Sequence, residues 1–151
     1  MEVFLTMDEV SRLQKHLALI RGCAGWTAAA LAEKLGVKRQ TISTIERGEE
    51  KYKMTRMQYL AIRKVLDDEI ASAKEETQML RLVIDALVDH PERYSNEEKE
   101  EIRSKAELFA PSIVKKPSER KSASKAWMVL LTAGGIVAGA TLAAYVNHKK
   151  S

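Results

Sequence analysis

The groups best suited to binding chemistry lie between residues 38 and 56. Lys38, Arg39, Gln40, Ser43 and Thr44 fall on one polar face of a short helix expected over residues 39–47. A helix of that size fits the major groove of DNA. An arginine there can grip guanine through two hydrogen bonds, and a glutamine can do the same with adenine. Lys51, Lys53 and Arg56 follow within a turn or two, where cations can hold phosphates. Catalytic groupings are not seen. The chain has no Cys-x-x-Cys, no phosphate loop and no nucleophile elbow. The three histidines, His16, His90 and His148, are far apart, and none has a second ligand at metal spacing. The expectation is a binding protein without enzyme activity, cofactor or metal.

Such a helix needs a frame. The stretch "LAEKLGVKRQTISTIERG", residues 31–48, is interrupted at Gly36 and closed by Gly48. It reads as two short helices and a tight corner, because glycine tolerates the left-handed conformation that ends a helix. The second helix should run over about 28–35, with Thr27 as its N-cap. Leu31, Leu35, Val37, Ile42 and Ile45 should point into a shared core, with Ala32 small where the helices cross. A first helix over about 7–21 opens on a capping box, Thr6 with Glu9, and carries Val10, Leu13, Leu17 and Ile20 on one face. It should stop at Gly22. Cys23 is expected to be a small helix-end residue, and Trp26 to pack on the first helix or the domain edge. "EEKYK" is expected as a charged loop. Two further capping boxes, Thr55 with Gln58 and Ser95 with Glu98, open helices. A helix over 76–90 shows Leu80, Val83, Ile84 and Leu87 on one side, and Pro111 should end the helix that begins near Ser95.

Residues 17–66 resemble the Cro/phage-repressor-like helix-turn-helix proteins (the XRE family). The resemblance rests on Leu31-Ala32, Leu35-Gly36-Val37, Ile42, Ile45, Glu46 and Gly48. It covers about a third of the chain. It implies an all-α, lambda-repressor-like domain that binds double-stranded operator DNA, usually as a homodimer. It also implies an Arg21–Glu46 pair. By the same resemblance Arg39, Gln40 and Thr44 are the base-contacting residues, with Lys38, Ser43, Lys51, Lys53 and Arg56 in support. Two positions depart from the family. Ala28 stands where a phosphate-anchoring glutamine is usual, and Lys38 stands where a serine or threonine cap is usual.

Charge is unevenly distributed. Lys and Arg number 12 against 10 Asp and Glu in residues 1–69, 6 against 10 in 70–110, and 7 against 1 in 111–151. A lone cysteine excludes an intrachain disulfide. Residues 126–146 carry no charge and as a helix would span about 30 Å, a bilayer core. Trp127 and Tyr145 near its ends, with Lys115, Lys116, Arg120, Lys121 and Lys125 before it, suggest a single-pass anchor with the N-terminal side in the cytoplasm. Gly135 and Gly139 form a Gly-x-x-x-Gly pair that could let two such helices approach.

The organisation expected is therefore a helix-turn-helix domain over 1–72 and a helical extension over 73–110. A flexible basic linker over 111–125, a transmembrane helix over 126–146 and a short tail over 147–151 would follow. The function expected is a membrane-tethered transcriptional regulator, a repressor by default. A membrane-anchored scaffold that uses the same fold to hold a protein partner is the alternative, or an antitoxin-type partner that binds through residues 75–110.

Overall fold

The computed structural model describes residues 7–134, which form seven helices: α1 (Met7–Ala24), α2 (Ala28–Leu35), α3 (Arg39–Arg47), α4 (Arg56–Ser72), α5 (Gln78–Ile84), α6 (Asn96–Lys115) and α7 (Arg120–Gly134). No strand occurs among the described residues. Thr6, the expected cap of α1, lies outside them. Local chemistry sets three of the helix starts. The Thr27 hydroxyl accepts from the Ala30 N–H, and both later capping boxes close in both directions, Thr55 with Gln58 and Ser95 with Glu98.

Helix α1 is the central pillar. Its buried face, Val10, Leu13, Leu17 and Ile20, packs against α2, α3, α4, α5 and α6. It runs past Gly22, which is the point where α6 crosses. A Cβ on Gly22 would stand 3.0 Å from the Ala110 Cβ. The missing side chain lets the two backbones approach, so this glycine is a packing residue and not a helix end. Beyond it, Cys23 is buried, and burial pushes its thiol pKa up to about 12. Trp26 is buried under the Lys34 ammonium, 4.8 Å from the ring centre.

Residues 73–110 are not a separate extension. One contiguous core runs from Val10 to Leu131, and Leu80, Leu82, Val83 and Leu87 are interior to it. The helix expected over 76–90 runs without a break from Gln78 to Asp89 but widens in its last turn. After α5 the chain makes one wider, π-type turn over Asp85–Asp89, closed by the His90 N–H on the Asp85 carbonyl at 2.7 Å. Three side chains hold that turn. Arg12 Nε donates to the Val88 carbonyl, Arg63 grips the Asp89 carboxylate at 2.6 and 3.1 Å, and the Tyr94 hydroxyl donates to Asp85 at 2.6 Å.

Two expectations at the C-terminal end need correction. Residues 111–125 are not a flexible linker. Helix α6 continues through Pro111 to Lys115, and a short turn over Pro117–Glu119 leads into α7. A proline within a helix costs about 3 kcal/mol. Burial of Ile113 beside Gly25, and of Ala110 against Gly22, offsets it. Arg120 then pins the connection, donating to the Ala24 carbonyl at 2.9 Å, to Glu69 at 2.7 Å and to Glu76 at 2.9 Å.

The second correction concerns the transmembrane helix expected over 126–146 and the single-pass membrane placement drawn from it. Among the described residues no helix is long and apolar enough to cross a membrane. Helix α7 begins in the cations Arg120, Lys121 and Lys125, and it packs on α5 and α6 with Trp127 and Leu131 fully buried. Trp127 is therefore a core residue, not an interfacial aromatic. Nothing in the described residues supports the bilayer as a partner. Gly135, Gly139 and Tyr145 lie outside the described residues.

Candidate nucleic-acid interface

The α2–α3 corner is built by a helix stop that only glycine makes easily. Gly36 sits at φ +71°, its N–H on the Glu33 carbonyl, while the Val37 N–H reaches the Ala32 carbonyl. This pair of bonds satisfies two carbonyls that would otherwise end α2 unpaired. Leu31, Ala32, Ile42 and Ile45 are buried at the crossing. Leu35 is half-buried and packs against the core, as its spacing predicts, whereas Val37 is 41% exposed and is turned outward at the corner.

The polar face of α3 is thereby turned to solvent. Lys38, Arg39 and Gln40 are exposed, and Ser43 and Thr44 are partly so. Lys38 holds the cap position without a side-chain hydrogen bond. The Thr44 hydroxyl accepts from Arg47 at 3.3 Å, which leaves its own proton available. Lys38, Gln40 and Thr44 line one open cleft of about 490 Å³ together with Lys51 and Lys53. Arg39 and Ser43 stand on α3 outside that cleft. Arg56 also lies outside it, on the exposed first turn of α4. Lys53 faces Glu50 at 3.4 Å, an exposed pair of little energetic weight.

Two tethers, one partly buried and one buried, hold α3 in this pose. The first is ionic. Arg21 Nε and Nη2 donate to the Glu46 carboxylate at 2.6 and 3.0 Å, and Nη1 donates to the Trp26 carbonyl. A bidentate pair of this kind fixes orientation as well as distance. The second is the Gln14 amide, which the sequence analysis passed over. Its Nε2 donates to the Ile45 and Tyr52 carbonyls, both at 2.9 Å, and its Oε1 accepts from the Met54 N–H at 2.9 Å. One buried side chain thus joins α1, the end of α3 and the Lys51–Lys53 segment, at Tyr52 within it and at Met54 just past it. The only signal for it in the sequence was a polar residue between Leu13 and Leu17 on an apolar helix.

Residues 12–61 match a family model described as a helix-turn-helix domain. The match runs from α1 into α4 and includes both tethers. No curated protein and no solved structure matches the chain. Residues 12–61 are thus a helix-turn-helix domain, and its outward polar helix, glycine corner and flanking basic segment support DNA binding.

Proposed function

We propose that the protein is a sequence-specific transcriptional regulator of the Cro/phage-repressor-like type. Helix α3 enters the major groove of double-stranded DNA. Arg39, Gln40 and Thr44 contact base edges, Lys38 and Ser43 flank them, and Lys51 and Lys53 hold the phosphate backbone. Repression follows from occupancy, since a protein seated on a promoter blocks polymerase. The observation that carries this reading is the shared cleft of Lys38, Gln40, Thr44, Lys51 and Lys53, with Arg39 exposed beside it. Base-reading and phosphate-holding groups then meet one duplex from adjacent positions.

The test compares two substitutions on a selected site and on random duplex. Arg39→Ala should cost about 1–3 kcal/mol on the selected site and relax one base position. Lys51→Ala should weaken both duplexes alike and lower the salt slope by about 1. Equal loss on both duplexes for Arg39→Ala would show that it does not read bases. Absence of duplex binding would leave the fold as a protein-interaction module.

A further inference from the structure

Helix α4 buries Tyr59, Ile62 and Leu66 and leaves its opposite face bare. That face carries the two most exposed large apolar side chains of the helix, Met57 at 79% and Leu60 at 55%. Arg56, Ala61, Lys64, Asp67 and Asp68 are exposed around them. Spacings of three and four residues put these side chains on one stripe. The order along the stripe is a cation, an apolar centre, then Lys64 with two carboxylates at the far end.

A stripe with that order is complementary to itself when reversed. We propose that the outer face of α4 is a homodimer interface, in which α4 of one copy lies antiparallel to α4 of a second copy about a two-fold axis near Ala61. Leu60 and Ala61 of the two copies then meet at the centre. Met57 covers the methylene stem of Lys64. Arg56 of each copy lies against Asp67 and Asp68 of the other. Asp68 already holds Lys64 at 3.0 Å, so the incoming arginine completes a three-charge cluster. An isologous contact requires self-complementarity of this kind.

The structure also removes a competing source of dimerisation. Leu80, Val83, Ile84 and Leu87, an apolar stripe that could have paired two chains, are spent on the interior of one chain. Helix α4 starts soon after the Lys51–Lys53 segment, so a two-fold axis on α4 also relates the two copies of that segment and of α3. Its value for a dyad-symmetric operator rests on the DNA-binding function proposed above; the pairing itself does not. One helix face is a small interface, which places the dimer in the weak class. Binding of two copies to adjacent half-sites raises their effective concentration and strengthens it.

The experiment is sedimentation velocity on the full chain without DNA, over a range of protein and salt concentrations. A reversible dimer weakened by salt is expected. Leu60→Glu should raise its dissociation constant by about tenfold or more, with the thermal midpoint unchanged because Leu60 leaves the core untouched. Arg56→Glu in one chain, and Asp67→Lys with Asp68→Lys in another, should each weaken self-association. Mixing those two chains should restore a dimer, since each charge again meets its opposite. A chain that stays monomeric at every concentration would overturn the proposal. So would a dimer indifferent to Leu60→Glu, or one abolished instead by Val129→Glu on the exposed side of α7. Because no duplex is present, failure here leaves DNA binding standing, and loss of DNA binding leaves the dimer standing.

Discussion

The Gln14 side chain donates to the Ile45 carbonyl at 2.9 Å, across 31 residues of sequence. Ile45 lies in the last turn of α3, and its carbonyl accepts both this amide and the Gly48 N–H, the latter at 3.1 Å. The same amide serves Tyr52 and Met54. The pose of α3 and the course of the Lys51–Lys53 segment therefore depend on one buried group in α1.

Gln14→Leu should keep the packing volume and lose three hydrogen bonds. With the buried Met54 N–H left unpaired, stability should fall by about 2 kcal/mol or more. Duplex affinity of the folded fraction should fall too, with a smaller salt slope, since Lys51 and Lys53 are no longer held beside α3. Denaturant titration and salt-dependent binding measure the two effects. An unchanged stability would mean that the clamp contributes nothing.

Gly22→Ala tests the α1–α6 crossing. In an isolated helix the change gains about 1 kcal/mol. Here the added methyl meets the Ala110 Cβ at 3.0 Å. The expected net result is a loss of about 1–3 kcal/mol from overpacking. Ala110→Gly in the same chain should recover part of it, and the coupling between the two sites is read from a double-mutant cycle. A more stable Gly22→Ala protein would show that α6 can yield.

Ser124 joins α7 to the fold. Its hydroxyl accepts from the Met79 N–H at 3.0 Å, capping α5 from another helix because Thr77 makes no side-chain cap there. Ser124→Ala should cost about 1 kcal/mol and should speed hydrogen exchange at the Met79 amide ahead of other core amides. Trp127→Ala should cost about 3–5 kcal/mol, the loss expected of a large buried ring. Wild-type stability in both would detach α7 from the core.

His16 should make the protein sensitive to mild acid. It is half-buried, and burial lowers its pKa from 6.5, with Lys15 and Arg103 adding to the shift and Glu107 opposing it. The unfolded chain therefore takes up the proton first as pH falls. Stability from this group is complete above 6.5, declines below it, and stops declining once pH has passed the lowered folded value. His16→Gln should flatten the stability profile between about pH 7 and pH 5 relative to wild type. Parallel profiles for the two proteins would remove His16 as the cause.

What the sequence determined by itself was everything set within a few residues. Thr27, Gly36 and Gly48 bound α2 and α3, and the Thr55 and Ser95 capping boxes open α4 and α6, because a cap reaches only three or four positions. The polar face of α3 was legible for the same reason, since helical periodicity is local. The tertiary structure decided what depends on a distant partner. Gln14 meets residues 31 to 40 positions away, and Ser124 finds an amide 45 away. Arg120 finds carboxylates 44 and 51 away, and it converts a segment that reads as a linker into a fastened turn. Pro111 is tolerated because Ala110 packs on Gly22 of α1 and Ile113 on Gly25 just past its end. An uncharged run such as 126–134 has no local mark that distinguishes lipid from protein as its surroundings. Trp127 and Leu131 face α5 and α6 because those helices leave an apolar surface to be covered, and only the assembled core supplies that surface.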